Sequence, residues 1–199
     1  MSKKTFFWFE LALRLFPNTS YIAKGDDDMF LRVPQYLADL RTLPRRGLYW
    51  GSMYKYRVRS LVDNTMVKFF FSSGPCNTLA RDVVERIVSF EPLRRLIHTP
   101  YSKERESEFL ALCMEHEDTM VGRVVHELHY SELIMVREKK CRFHNLRKGC
   151  RIAAPSNSSV MIHHIVESEY IDLMKRYEHD TAPKAKFIKH RHDYLYFAC

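Results

Sequence analysis

Phe6, Phe9, Leu13 and Phe16 recur at near-helical spacing, with Glu10 and Arg14 interrupting the apolar run between them. This pattern predicts an amphipathic core helix over about 5–16, closed by Pro17. Basic residues before a greasy stretch also imitate a signal peptide, but charges inside the stretch favour the core helix. Tyr21-Ile22-Ala23 and Met29-Phe30-Leu31 are strand-like runs on either side of Asp26-Asp27-Asp28, and a polar helix is expected from Pro34 to about Leu43. "PRRGLYWGSMYKYRVRS" alternates aromatic and polar residues and reads as a hairpin or paired strands. "MVKFFFSSGPCNTLARDVVERIVSF" runs from a strand, through a Gly-Pro turn with Gly74 as its turn glycine, into a helix with Val83, Val84, Ile87 and Val88 on one face. Val121, Val124, Val125 and Leu128 mark another helix, with Asp118 placed where an N-cap belongs. "SSVMIHHIVESEYIDLMKRY" reads as a strand, a histidine pair and a last helix. Mixed strands and helices make the chain α/β, with residues 1–180 as one domain and 181–199 as a basic, aromatic tail.

Composition narrows this picture only in part. With 199 residues, 46% of them hydrophobic, the chain can bury a core and is not disordered by composition. No apolar run reaches the roughly 18 residues of a membrane span. A formal net charge of +8 suits an anionic partner, whether nucleic acid, an anionic surface or a phosphate-bearing substrate. Five cysteines without a CxxC pair disfavour a zinc site, and an odd number leaves at least one thiol without an internal partner.

Against that positive charge, three adjacent aspartates need an explanation. Their repulsion is offset by solvation in an acidic turn, by a basic partner or by a bound cation. Strand-like flanks put Asp26, Asp27 and Asp28 at the mouth of a strand, where α/β folds gather ligands, and this favours a cation. Glu117 and Asp118 form a second acidic cluster, and His163-His164 ends a predicted strand.

In order and spacing, "KGDDDMFLRV", "LYWG", "FSSG" with "LARDVV", "EDTMVG" and "SSVMIHH" resemble the β-1,3-galactosyltransferase family of inverting, nucleotide-sugar glycosyltransferases. "KGDDDMFLRV" is similar to that family's Asp-x-Asp segment, and "EDTMVG" to its Glu-Asp-Val-x-x-Gly segment. "SSVMIHH" is similar to the strand ending in a metal-binding histidine, and "SNSSVMIHHIVESEYIDLM" looks most like protozoan members. The resemblance implies the C-terminal portion of a Rossmann-like GT-A fold, a mixed sheet flanked by helices. It also implies a UDP-galactose or UDP-N-acetylglucosamine donor, a glycan or glycoprotein acceptor, and a manganese ion or similar divalent cation. By the same implication Asp28 and His163 hold the metal, Asp26 meets the ribose or donor sugar and Asp27 supports the loop. Trp50, Gly74 and Glu117 also line the substrate site, and Asp118 is the general base. The implied residence is the lumenal side of the Golgi membrane, through an N-terminal anchor that this chain does not display.

Two features depart from the family pattern. Cys76, Asn77 and Ala80 stand where the family has a Gly, a Tyr and a Ser, and the Asp cluster begins at residue 26, much nearer the start than in the family. The second departure makes a truncated, inactive member the alternative reading. A third is a basic nucleic-acid module built on "RTLPRR", "REKKCR" and "KFIKHRH", although the aspartates argue against a phosphate groove beside them. Asn157-Ser158-Ser159 and Asn18-Thr19-Ser20 are glycosylation acceptors by pattern, with Asn18 expected to be buried beside Pro17.

Overall fold

A computed structural model describes residues 2–59, 65–181 and 183–199. Helix α1 (Ser2–Leu15) buries Phe6, Phe9 and Ala12. The predicted stripe ends early: Phe16 lies past the helix and is exposed, as is Asn18, which corrects its expected burial. Strands β1 (Tyr21–Gly25) and β2 (Met29–Leu31) flank the three aspartates, and α2 (Val33–Leu40) follows with Pro34 in its first turn, where the missing N–H costs nothing. Long strands β3 (Leu48–Arg59) and β4 (Met66–Ala80) pair antiparallel, as the aromatic alternation predicted. Ser60, which the predicted hairpin segment includes, lies outside the described residues.

Helices α3 (Arg81–Ser89), α4 (Glu91–His98), α5 (Glu106–Ala111) and α6 (Glu117–Glu127) come next. They lead to β5 (Ile134–Arg137), β6 (Phe143–Asn145), β7 (Met161–His163), α7 (Glu167–Arg176), β8 (Ile188–Arg191) and β9 (Tyr194–Phe197). The main sheet is mixed, six-stranded and flanked by helices, in the order β1-β4-β3-β5-β9-β8; β2, β7 and β6 form a small second sheet. The segment set apart as a tail is therefore built into the main sheet. Phe197 is fully buried there, and Cys199 is disulfide-bonded to Cys141. Hydropathy gave no warning of this, because the two strands are only four residues each and Phe197 alone is fully buried.

Apolar faces of α1, α3, α4 and α6 share one core with β3 and β4, centred on Phe6, Phe9, Leu48, Leu79, Val84, Ile87 and Val124. Close approach of α6 to β4 depends on Gly122, where a Cβ would lie 2.4 Å from that of Phe71. The same glycine thus sets the height at which the start of α6 meets the strand. Among the described residues no helix is long and apolar enough to cross a membrane.

Candidate functional site

Gly51 pairs with Asn77 and Met53 with Ser72, so on the β3 side residues 73–76 of β4 have only Ser52 opposite them and bulge from that ladder, while Cys76 keeps its pairing with Gly25 of β1. This corrects the predicted Gly-Pro turn. The strand continues through the segment, and the bulge re-aims its backbone. Gly74 takes φ +100°, a conformation that L side chains rarely adopt. Its N–H points to Asp118 Oδ2 at 2.9 Å, and the Pro75 carbonyl accepts the Asp26 N–H at 2.9 Å. One bulge therefore ties the start of α6 to the Asp cluster.

Each aspartate has a different environment. Asp28 Oδ1 lies 2.8 Å from His163 Nε2, and its Oδ2 lies 3.3 Å from His164 Nδ1. Asp26 lies 3.4 Å from Lys24 Nζ and 3.6 Å from His163 Nε2, and Asp27 is exposed to solvent. Consecutive residues of a strand point to opposite faces, yet both histidines reach Asp28. The turn of direction comes from His164, whose φ of +59° ends β7 and brings its ring to within 3.7 Å, centroid to centroid, of His163. That uncommon backbone conformation costs on the order of 1 kcal/mol or more, and such conformations cluster at functional sites.

Asp28, His163 and His164 offer one carboxylate oxygen and two imidazole nitrogens, all within 4.8 Å of one another. Adjacent vertices of an octahedron with bonds of about 2.1 Å are about 3 Å apart, close to the 2.8 and 3.3 Å that separate the Asp28 oxygens from the two imidazole nitrogens. Desolvation lowers the His163 pKa despite the Asp28 charge, which keeps the ring in the neutral form that binds metal. Burial tends to raise Asp28, but hydrogen bonds and charge from His164 and His163 outweigh it and leave the carboxyl below its ordinary value. Asn145 Oδ1 lies 3.2 Å from His163 Nδ1 and fixes the ring from behind. We expect His163→Ala to abolish metal binding and Asn145→Ala to weaken it by about 10–100-fold. Titration of the purified chain with manganese, cobalt and zinc measures both, and the two imidazoles should place zinc and cobalt ahead of manganese.

Asp118 is not the N-cap. Helix α6 begins at Glu117 with His116 as its cap residue, and the Asp118 carboxylate turns instead to the bulge. Lys24 Nζ bonds Glu117 and lies 3.8 Å from Asp118 Oδ1, which is buried and accepts no hydrogen bond. Burial raises the Asp118 pKa to about 6, partly opposed by the Gly74 N–H and Lys24. Burial alone would lower Lys24, but its hydrogen bond to Glu117 and the charges of Asp118 and Asp26 hold it above the ordinary value.

Two clefts open beside these groups. One of about 770 Å³ is lined by Lys4, Trp8, Lys24, the three aspartates and Glu117; the other, of about 440 Å³, is lined by Tyr54, Gly74, Asn145, Arg151, His163 and His164. Asp118 lies behind both, bonded to Gly74, which lines one, and close to Lys24, which lines the other. Trp50 belongs elsewhere. It is 1% exposed, stacks on Tyr36 and donates its indole N–H to Glu138, so a core role replaces the predicted substrate contact. The sequence reading missed Lys24, Asn145 and His164. Only the adjacency of Lys24 to the Asp run and of His164 to His163 could have flagged two of them. No protein-family model matches the chain, and no curated protein matches it.

Proposed function

We propose that this chain is a metal-dependent hexosyltransferase that moves galactose or N-acetylglucosamine from a UDP-sugar to a glycan hydroxyl with inversion. In this reading it forms the C-terminal portion of a GT-A fold. The observation that carries the proposal is the convergence of Asp28 with His164, 136 positions away, and with His163, together with the Asp118 carboxylate, which Lys24 connects to Asp26 and whose pKa is raised to about 6. A cleft of about 770 Å³ beside them falls within the size range of small-molecule sites.

Asp28, His163 and His164 would hold the cation, which when bound neutralises charge developing on the leaving diphosphate. Asp26, fixed by Lys24, faces the donor's ribose or sugar. Trp8 and Lys4 supply an aromatic face and a cation to the same cleft. Asp118 takes the proton of the acceptor hydroxyl as its oxygen bonds to the anomeric carbon. The bond from that carbon to the UDP oxygen breaks on the opposite face, and the bonding pair leaves with UDP. A carboxylate with a pKa near 6 is ionised at neutral pH and more basic than an ordinary aspartate, as this role requires. The Cys141–Cys199 disulfide supports residence in an oxidising compartment such as the secretory lumen.

Calorimetry with UDP, with and without manganese, tests the proposal. Binding that appears only with the metal and disappears in His163→Ala is the expected result. Metal-independent binding, or none, would refute it.

A further inference from the structure

A third cleft, of about 490 Å³, is lined by Arg137, Lys139, Lys140, Arg151 and Arg191 together with Tyr54, Tyr194 and Tyr196. Glu138 is the carboxylate in this lining, and it is committed to the core, bonded to Arg142 and to the Trp50 indole. Among the described residues none of the five cations forms an ion pair. Arg151 donates to the Glu138 carbonyl, and Arg191 donates to the Tyr194 hydroxyl. Five positive charges against the one carboxylate of Glu138, which Arg142 and Trp50 already bind, leave an excess of positive charge that an anionic ligand would relieve.

Two further observations say what kind of anion fits. First, Lys139 lies 4.3 Å from the centroid of the Tyr196 ring, and Arg137 lies 5.5 Å from that of Tyr194. One face of each of these two rings carries a cation, which leaves less aromatic surface for stacking nucleic-acid bases, the contact on which single-strand binders rely. Second, Tyr54 and Arg151 line both this cleft and the one reaching Gly74, His163 and His164, so the basic cleft continues towards the metal-ligand cluster. The Cys141–Cys199 disulfide joins the segment just after Lys139-Lys140 to the end of the strand carrying Tyr194 and Tyr196. It holds the two walls together.

We propose that this cleft binds a polyanionic glycan, a saccharide chain carrying sulfate or carboxylate groups. Its anionic units rest on Lys139, Lys140 and Arg191, and a neighbouring hydroxyl reaches Asp118. The role as acceptor rests on the transferase reading above; the binding does not.

The test is calorimetry of the full chain, without UDP or added metal, against four probes: a sulfated octasaccharide, its desulfated counterpart, inorganic sulfate, and a single-stranded oligonucleotide of matched charge. The sulfated octasaccharide should bind best, the desulfated counterpart, made of neutral sugars, not detectably, and inorganic sulfate only weakly. Lys139→Ala/Lys140→Ala/Arg191→Ala should weaken octasaccharide binding at least about tenfold, since it removes charge-assisted contacts at exposed positions. Arg94→Ala/Lys103→Ala/Lys175→Ala, which removes the same charge from exposed sites elsewhere, should leave it nearly unchanged. Equal losses in the two triple variants would reduce the effect to net charge and overturn the proposal. So would an oligonucleotide that binds as tightly as the octasaccharide, or sulfate binding unaffected by the first variant. Octasaccharide binding without manganese-dependent UDP binding would leave this cleft standing and remove the transferase reading; the opposite result would do the reverse.

Discussion

Arg142→Met should destabilise the chain by about 3–5 kcal/mol, a large share of the roughly 5–15 kcal/mol that holds a typical domain folded. Arg142 is fully buried. Its guanidinium lies 2.8 Å from Glu138 Oε2 and 2.6 Å from Asp39 Oδ2, and both carboxylates are themselves buried. Removing the cation leaves two negative charges in the core with only neutral donors, the Trp50 indole to Glu138 and the Gln35 amide and Lys186 N–H to Asp39. Methionine matches the lost length but not the charge. The cluster also joins α2, the end of β5 and the segment before β8, and the Arg142 carbonyl accepts the Val160 N–H at 2.8 Å just before β7. Urea unfolding of parent and variant measures the loss. A variant that unfolds at the parent's midpoint would show that Asp39 and Glu138 do not depend on Arg142.

Asp118→Asn is expected to lower UDP-sugar turnover by about 10²–10⁴-fold, the contribution of a positioned general base. The same substitution should raise stability at neutral pH. A carboxyl with a pKa raised from 3.8 to about 6 in the folded state binds its proton more tightly folded than unfolded. Its charge therefore costs stability above pH 6, and that cost fades as pH falls from about 6 towards 4. Asparagine carries no such cost and can still accept the Gly74 N–H. The variant should melt several degrees higher than the parent at about pH 8 and level with it near pH 4, corresponding to roughly 2 kcal/mol. Reduced turnover with unchanged stability would place Asp118 in the chemistry but not in a desolvated setting. Unchanged turnover would remove it as the base. In the parent, turnover should rise with pH through an acid limb near 6.

Some of this architecture could be read from residue order. The apolar periodicities of α1, α3 and α6 identified helices because each buries one stripe against a common core, and the β3/β4 pairing followed from alternating aromatics. Asp28 and His163 were singled out by their setting and by the family resemblance, and they do meet in space. Other parts depend on contacts between distant segments. Trp50 was read as a substrate contact through the family resemblance of "LYWG", whereas its place is decided by Tyr36 and Glu138. Asp118 was read as a cap because it precedes an apolar stripe, but the bulge at Gly74 competes successfully for its carboxylate. The second imidazole reaches the cluster through a single left-handed residue, His164, and no periodicity reports such a turn. The buried Asp39–Arg142–Glu138 cluster was invisible because charged residues are ordinarily assigned to the surface.

The edge formed by β8 and β9 joins the rest of the main sheet along a short front. It meets the rest of the main sheet through one register pair, Val136 with Leu195, and is held further by the buried Phe197 ring and the Cys141–Cys199 bond. Asp28, His163 and His164 lie in or beside the small second sheet, and none of the three belongs to this edge. Reduction of that covalent bond would then act on the basic cleft, whose two walls it joins, and not directly on Asp28, His163 and His164, making thiol chemistry a handle on that cleft.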